Sequence, residues 1–422
     1  SPGGGRGCSC MKIPSLILLA ASGLLTTATP GSTAAACTYY VNAARGDDVH
    51  DGLKPAQAWR SLARVNRTPL APGDRVLFRR GQTWRGQLVP RSGAVGAVIT
   101  YGAYGEGDKP RLLGSVAMDQ TEDWQSAGPG LWTTRPRTNP SPLSVDVGNI
   151  IFDQGKTTGI KKWSEADLRR DGDFFYDAAL ARVKLRSAEN PATIHQNIEL
   201  ALRKHIIDQG GRGWVTYENL DLRYGAAHGI GGGSTHHITV RGCDISFIGG
   251  GHQFTRPDGK PVRFGNGIEF WSGAHDCLVE DCRLWEIYDA ALTNQGDGTN
   301  VQANITYRRN VIWNSEYSFE YWNGGPASCT RNITFERNTC VDAGRGWGHN
   351  QRPDRNGRHL MFYNNAAQTT NVVIRYNIFC NAVDSLLRLH GRDWTAALAM
   401  DYNCWFQPQG VVVLWDRETV GA

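Results

Sequence analysis

Residues 304–312 (NITYRRNVI) and 332–340 (NITFERNTC) lie 28 positions apart and share one pattern: apolar and polar residues alternate, and an Asn holds the seventh place. Such alternation marks a strand with one buried face. The pattern recurs at 214–222 (WVTYENLDL), 237–245 (HITVRGCDI), 276–284 (DCLVEDCRL), 371–379 (NVVIRYNIF) and 397–405 (ALAMDYNCW). The second positions are Val215, Ile238, Cys277, Ile305, Ile333, Val372 and Leu398, spaced by 23, 39, 28, 28, 39 and 26. Periods in the twenties with strand character predict a parallel β-solenoid. The seventh column reads Leu220, Cys243, Cys282, Asn310, Asn338, Asn377, Asn403. Four successive Asn in register predict an internal amide ladder at a turn, each side chain bonding its neighbour one rung away.

A solenoid accounts for the length. A chain of 422 residues exceeds the roughly 250–300 at which single cores stop growing, but a tubular core has no such ceiling. Aromatics at 10% and a net charge of +5 exclude a disordered chain. The basic residues are spread without a tail, so no nucleic-acid partner is expected. Tubes need capped ends, and AQAWRSLARVN (56–66) predicts a short amphipathic N-terminal capping helix. Strands GDRVLF, GQTWRGQLV and GAVITYGAY follow as first rungs. Residues 114–205 break the pattern and predict a β-rich insertion, with SEADLRRDG as a charged helical piece. The expected organisation is upstream residues and a signal peptide over 1–36, cap and first rungs over 37–113, the insertion over 114–205, and regular rungs with a substrate groove over 206–422.

Met11 and Lys12 precede IPSLILLAASGLL and TTATPGSTAAA. A basic start, a short apolar run and an A-x-A site make a signal peptide, with Met11 as the expected start and cleavage after Ala36. The expected location is therefore secreted or periplasmic. No run reaches the roughly 18 apolar residues of a membrane span. Cys37 at the new N-terminus admits lipid anchoring, but Ala34 makes a weak lipobox. Eight cysteines remain beyond Cys10. They permit disulfides in an exported chain or serve as buried thiols, and no C-x-x-C spacing points to zinc.

The layout YYVNAARGDDVHDGLKPAQAWRSLARVN, LAPGDRVLFRRGQTWRG and AVITYGAYGEGDKPRLLGS resembles secreted bacterial right-handed parallel β-helix proteins, the pectin-lyase-like superfamily. The resemblance covers nearly all of the mature chain. It implies action on polysaccharides by hydrolases, lyases or epimerases, and leaves the reaction to the site.

Each rung carries a second strand, aligned as GIEFW (267–271), DAALT (289–293), SFEYW (318–322) and HLMFY (359–363). Alternation sends Glu269, Trp271, Asp289, Thr293, Ser318, Glu320, Trp322, His359, Met361 and Tyr363 outward. Three acids beside two Trp, without Lys, suit a sugar-binding face. The two long spacings place extra residues at 249–264 and 343–358, ahead of strands of this face, where insertions commonly wall a groove. The second carries His349, Arg352 and Asp354.

Asp289 and Glu320 are the expected acid–base pair, diagonal neighbours roughly 7–8 Å apart, a spacing suited to an inverting hydrolase. Glu269 is the third candidate. Trp271, Trp322, His349, Arg352, Asp354, His359, Tyr363 and Arg388 are candidate substrate contacts. Glycoside hydrolysis needs no cofactor. The rival is a lyase or epimerase on uronic-acid polymers, with Ca²⁺ held by the acids and His349, Arg352, His359 or Arg388 as base or clamp; Lys260 alone could supply a catalytic Lys near the groove. A third reading is a non-catalytic glycan-binding or surface protein. The expected partner is a polysaccharide and the expected state a monomer.

Overall fold

The computed structural model describes residues 35–136, 141–391, 394–415 and 418–420. The expected signal peptide falls on residues 1–36 and lies almost wholly outside them. Three sheets of parallel strands run along one axis, with ten, nine and nine described strands, the last strand of one nine-stranded sheet, Glu418–Val420, being antiparallel. Each coil passes from the first sheet to the second to the third, as in the successive strands Val301–Arg308, Val311–Trp313 and Tyr317–Asn323. The chain is a parallel β-helix, as the periodicity predicts, and right-handed, as the resemblance implies.

The repeat is the cause of this register. Val215, Ile238, Cys277, Ile305, Ile333, Val372 and Leu398 form one column of the first sheet. All but Leu398 are at most 3% exposed, so the column is the inner wall of the tube. The amide ladder is present at the turn into the second sheet. Asn310 Nδ2 donates to Asn338 Oδ1 at 3.0 Å, Asn338 Nδ2 to Asn377 Oδ1 at 3.1 Å, and Asn377 Nδ2 to Asn403 Oδ1 at 2.9 Å. Each Oδ1 also accepts the backbone N–H of the Asn one rung before it. The buried polar groups of the turn are thereby satisfied along the tube.

At the N-terminal end, Thr38–Val41 is the edge strand of the first sheet. The helix is shorter and later than expected, Leu62–Arg67, after a 3-10 turn at Pro55–Gln57. Ser61 caps it by accepting from the Arg64 N–H, and Leu62 and Val65 join Trp59 in the tube's core. Between Ser115 and Leu202 the chain leaves the coil and builds a four-stranded and a five-stranded sheet. Met118, Trp124, Ile150, Phe174 and Leu185 form a separate core there. The charged piece SEADLRRDG is helical only as a 3-10 turn, Glu165–Asp167. The eight described cysteines are all free thiols, four of them buried.

Candidate active site

The third sheet positions the candidate residues. Its inner column runs Ile230, Ile268, Leu292, Phe319, Leu360, Leu387 and Val413. The next column faces out: Glu269, Thr293, Glu320, Met361, Arg388 and Leu414. Glu269 and Glu320 thus stand two rungs apart on one line with Thr293 between them, a backbone separation of about 10 Å.

This corrects the expected register of one rung. The strand is Ala290–Gly296, with Ala290 opposite Tyr317 and Thr293 opposite Glu320. The sequence alignment set it two residues too early. A slip of two preserves which face each residue occupies, so Leu292 remains inside. Asp289, however, precedes the strand beside Glu316 and is not a diagonal neighbour of Glu320. Four residues of strand rise, about 13 Å, separate the two backbone positions along the sheet.

The side chains converge nonetheless. Asp289 and Glu320 line one cavity of about 830 Å³ together with Arg352, Asp354 and Tyr363. Asp289 also lines an adjoining cavity of about 430 Å³ with His205, His228, Glu269 and Trp271. The two form a cleft along the outer face. Its walls are the two excursions: residues 249–264 fold as the hairpin Gly251–Thr255 and Pro261–Phe264, and 343–358 carry the 3-10 turn His349–Gln351. Gln351 ties these walls to the insertion. Its Oε1 accepts from Arg263 Nη1 at 3.0 Å and from the Lys161 N–H at 3.2 Å, and its Nε2 donates to the Gly159 carbonyl at 2.9 Å.

The carboxyl groups have unlike surroundings. Arg352 Nη1 donates to Asp289 Oδ1 at 3.1 Å and to the Tyr288 carbonyl at 2.8 Å. Burial pushes the Asp289 carboxyl up to about 6 against the pull of this guanidinium. Glu320 is 4% exposed, and among the described residues no cation pairs with it. Its Oε2 accepts from Gln295 Nε2 at 2.8 Å. Burial, then the nearby Asp289 charge, hold Glu320 well above the ordinary carboxylate range. Glu269 is raised by burial to about 7.

Around Glu269 lies a network that the sequence reading missed. Asn266 Nδ2 donates to Glu269 Oε2 at 3.0 Å. The Asn266 backbone N–H donates to His228 Nδ1 at 2.9 Å, which leaves the His228 proton on Nε2, 3.2 Å from Glu269 Oε2. The His228 N–H in turn donates to Nδ1 of His205, whose ring stacks on that of His228 at 4.8 Å. Burial lowers His228 to about 3 and His205 to about 4, so both are neutral. The two histidines are 23 residues apart, one coil, which is the signal that could have found them.

The remaining candidates divide. Trp271 lies in the smaller cavity, and its ring is 6.0 Å from that of Trp322, the register partner of Gln295. Tyr363 lines the larger cavity and stacks on His390 at 5.7 Å. Arg388 stands one rung beyond Met361. His349 turns to Glu316, with Nδ1 3.0 Å from Oε2. Glu316 itself, absent from the sequence candidates, is buried, accepts the Asn356 and Gly357 N–H groups, and sits 3.6 Å from Arg352 Nε. His359 is corrected outright. Its ring is fully buried and bonded to Ser318 Oγ and to the carbonyls of Cys380 and Asn381 on the second sheet's strand Ile378–Ala382. Ser318 is buried with it and does not face out.

No protein-family model matches the chain, and no curated protein is similar to it. Among solved structures, it is similar to a lacto-N-biosidase of glycoside hydrolase family 136 from Eubacterium ramulus (15% identity, 90% of this chain and 68% of that one, TM-score 0.39). It is similar to a glycoside hydrolase (9%, 90% and 96%, 0.48) and to the pectate lyase Pel9A (12%, 90% and 78%, 0.44). The fold assigned above rests on the strand registers of the chain itself.

Proposed function

We propose that the protein is an exported polysaccharide-active enzyme that hydrolyses glycosidic bonds, with Glu320 as the proton donor and Asp289 as the carboxylate. One observation carries this reading: the buried Glu320 and the partly buried Asp289 share one cavity, and only Asp289 forms an ion pair with a guanidinium. Glycoside hydrolysis needs a proton for the leaving oxygen and an ionised group across the scissile bond. Environments that push two pKa values apart assign those roles. Arg352 draws Asp289 toward its charged form, while burial and the Asp289 charge push Glu320 toward its protonated form. Glu269 and the His228 Nε2–H are placed to bond sugar hydroxyls further along the cleft, and Trp271 and Trp322 offer faces to pyranose rings. Hydrolysis in this form uses no metal.

A second reading draws on the cations of the larger cavity, where Lys260, Arg256 and Arg263 stand on the hairpin side. In a β-elimination on a uronic polymer the arginines would neutralise the carboxylate and Lys260 would take the α proton. The test is product analysis on neutral and uronic polysaccharides, with and without EDTA. Saturated reducing ends that disappear in Glu320→Gln support hydrolysis. Unsaturated ends, lost in Lys260→Ala and retained in Glu320→Gln, support elimination.

A further inference from the structure

We propose that His237, His275 and Asp276 form a site for one divalent transition-metal ion of the zinc class at an outer turn of the β-helix, with His236 packed beside it. His236 and His275 open the strands His236–Arg241 and His275–Glu280 and pair in register. Their rings stack at 5.3 Å, 10° from parallel. Adjacent residues of a strand ordinarily point to opposite faces. Here His237 and Asp276 are left-handed, at φ 53° and 55°, and this brings each beside its neighbour. One rung therefore presents His–His and the next His–Asp.

The donor atoms are close. His236 Nδ1 and His237 Nδ1 are 3.1 Å apart, His275 Nδ1 and Asp276 Oδ2 2.7 Å, and His237 Nε2 and Asp276 Oδ2 3.9 Å. One donor each from His237, His275 and Asp276 lies within 4.8 Å of the others. Tetrahedral zinc with ligands at about 2.0–2.1 Å holds its donors roughly 3.3 Å apart, so small rotations close the shell. Imidazole nitrogen with one carboxylate suits zinc, nickel or copper, whereas calcium and magnesium prefer oxygen throughout.

Independent features orient the ligands. Asn304 Nδ2 donates to Asp276 Oδ1 at 2.8 Å, leaving Oδ2 for the histidines; such outer partners fix ligand geometry. Trp214 stacks on His237 at 3.6 Å. Gly213 lies against His236, where a Cβ would come within 2.1 Å of Cε1. Among the described residues no Lys or Arg pairs with Asp276. The site sits at the far end of the turns that begin at Gly232 and Trp271, and both of those residues line the cleft. A bound ion would clip the two turns together.

The metal-stripped protein, titrated calorimetrically with zinc chloride and with calcium chloride as control, tests this without any activity assay. Saturable binding of one zinc equivalent and none of calcium is expected. His237→Ala and Asp276→Asn should each weaken it by about tenfold or more, while His252→Ala leaves it unchanged. Undiminished binding in the His237→Ala/His275→Ala double variant would overturn the assignment, as would the absence of a stoichiometric site. Should the variants fail to fold, cobalt substituted into the wild-type protein decides. An intense visible spectrum of a four- or five-coordinate nitrogen–oxygen site supports the proposal, and the weak spectrum of the hexaaqua ion sinks it.

Discussion

Arg352 and Asp289 are joined by a hydrogen-bonded ion pair at 3.1 Å inside the cleft, with the arginine side chain only 7% exposed. The guanidinium pulls the Asp289 carboxyl down against its burial, and the Asp289 charge adds to the burial that holds Glu320 well above the ordinary carboxylate range.

Glu320→Gln and Asp289→Asn are each expected to lower kcat by about 10²–10⁴, the usual range for general acid–base groups. Glu320→Gln keeps side-chain volume and should leave thermal unfolding close to wild type, whereas Asp289→Asn breaks the ion pair with Arg352 and should lower it. Steady-state rates on the responsive polysaccharide measure the effect. Retention of more than a tenth of kcat in Glu320→Gln would remove it as the acid.

The pH profile should be bell-shaped. The acid limb reflects the couple near pH 6, where Asp289 titrates, and the alkaline limb lies higher, where Glu320 loses its proton; both midpoints belong to the coupled pair. Arg352→Lys keeps a charge without the planar fork. With Asp289 less well held, its pKa rises and the acid limb moves to higher pH. Arg352→Met leaves Asp289 and Glu316 without their cation, and a loss of about 3–5 kcal/mol in urea unfolding is expected.

His359 ties stability to pH by a separate route. Burial lowers its folded pKa to about 4, against about 6.5 for an unfolded histidine. The neutral ring therefore favours the fold above pH 6.5, and this contribution is lost as pH falls from 6.5 toward 4. The stability difference between wild type and His359→Gln, measured at pH 7, 5.5 and 4, should shrink steadily. A constant difference would mean that the ring is not neutral in the fold.

The Asn ladder separates a buried from an exposed amide stack. Asn338→Ala removes the acceptor of the Asn310 N–H and the donor to the Tyr307 carbonyl. Each unsatisfied group costs about 1–3 kcal/mol, so a loss of roughly 3 kcal/mol or more is expected. Asn371 donates in the same manner to Asn332, but at the surface and with a left-handed backbone. Asn371→Gly, which tolerates that backbone, should change stability by less than about 0.5 kcal/mol. Denaturant midpoints of the two variants check this.

The fold was legible because one column of the repeat is apolar and recurs every 23 to 39 residues in the same nine-residue pattern, and the Asn column fixed its phase. The third sheet offered no such marker. Ala290, Ala291 and Leu292 fit either of two registers with the same face buried, so the acid at 289 was placed two residues off. His359 was misread because alternation alone decided its face, whereas the ring is held inside by Ser318 and by the Cys380 and Asn381 carbonyls of the next strand. The groove walls could be read as excess length, and Arg352 with them. Glu316 could not, since its role comes from backbone N–H groups 40 residues away. His205 and His228 were hidden in a glycine-rich stretch that reads as a turn unless the coil period is carried through it.

Gln351 gives the cleft a mechanical property. Because one amide side chain is shared by the 343–358 excursion, the hairpin and the insertion, these three cannot swing independently. A sugar chain that pushes one aside strains the bonds to the other two. Gln351→Ala would release the 343–358 excursion, while the hairpin and the insertion stay joined through Arg263 with the Gly148 carbonyl and the His252 N–H with Asp146, visible as faster amide exchange at Gly159–Lys161 without any change in the rungs beneath.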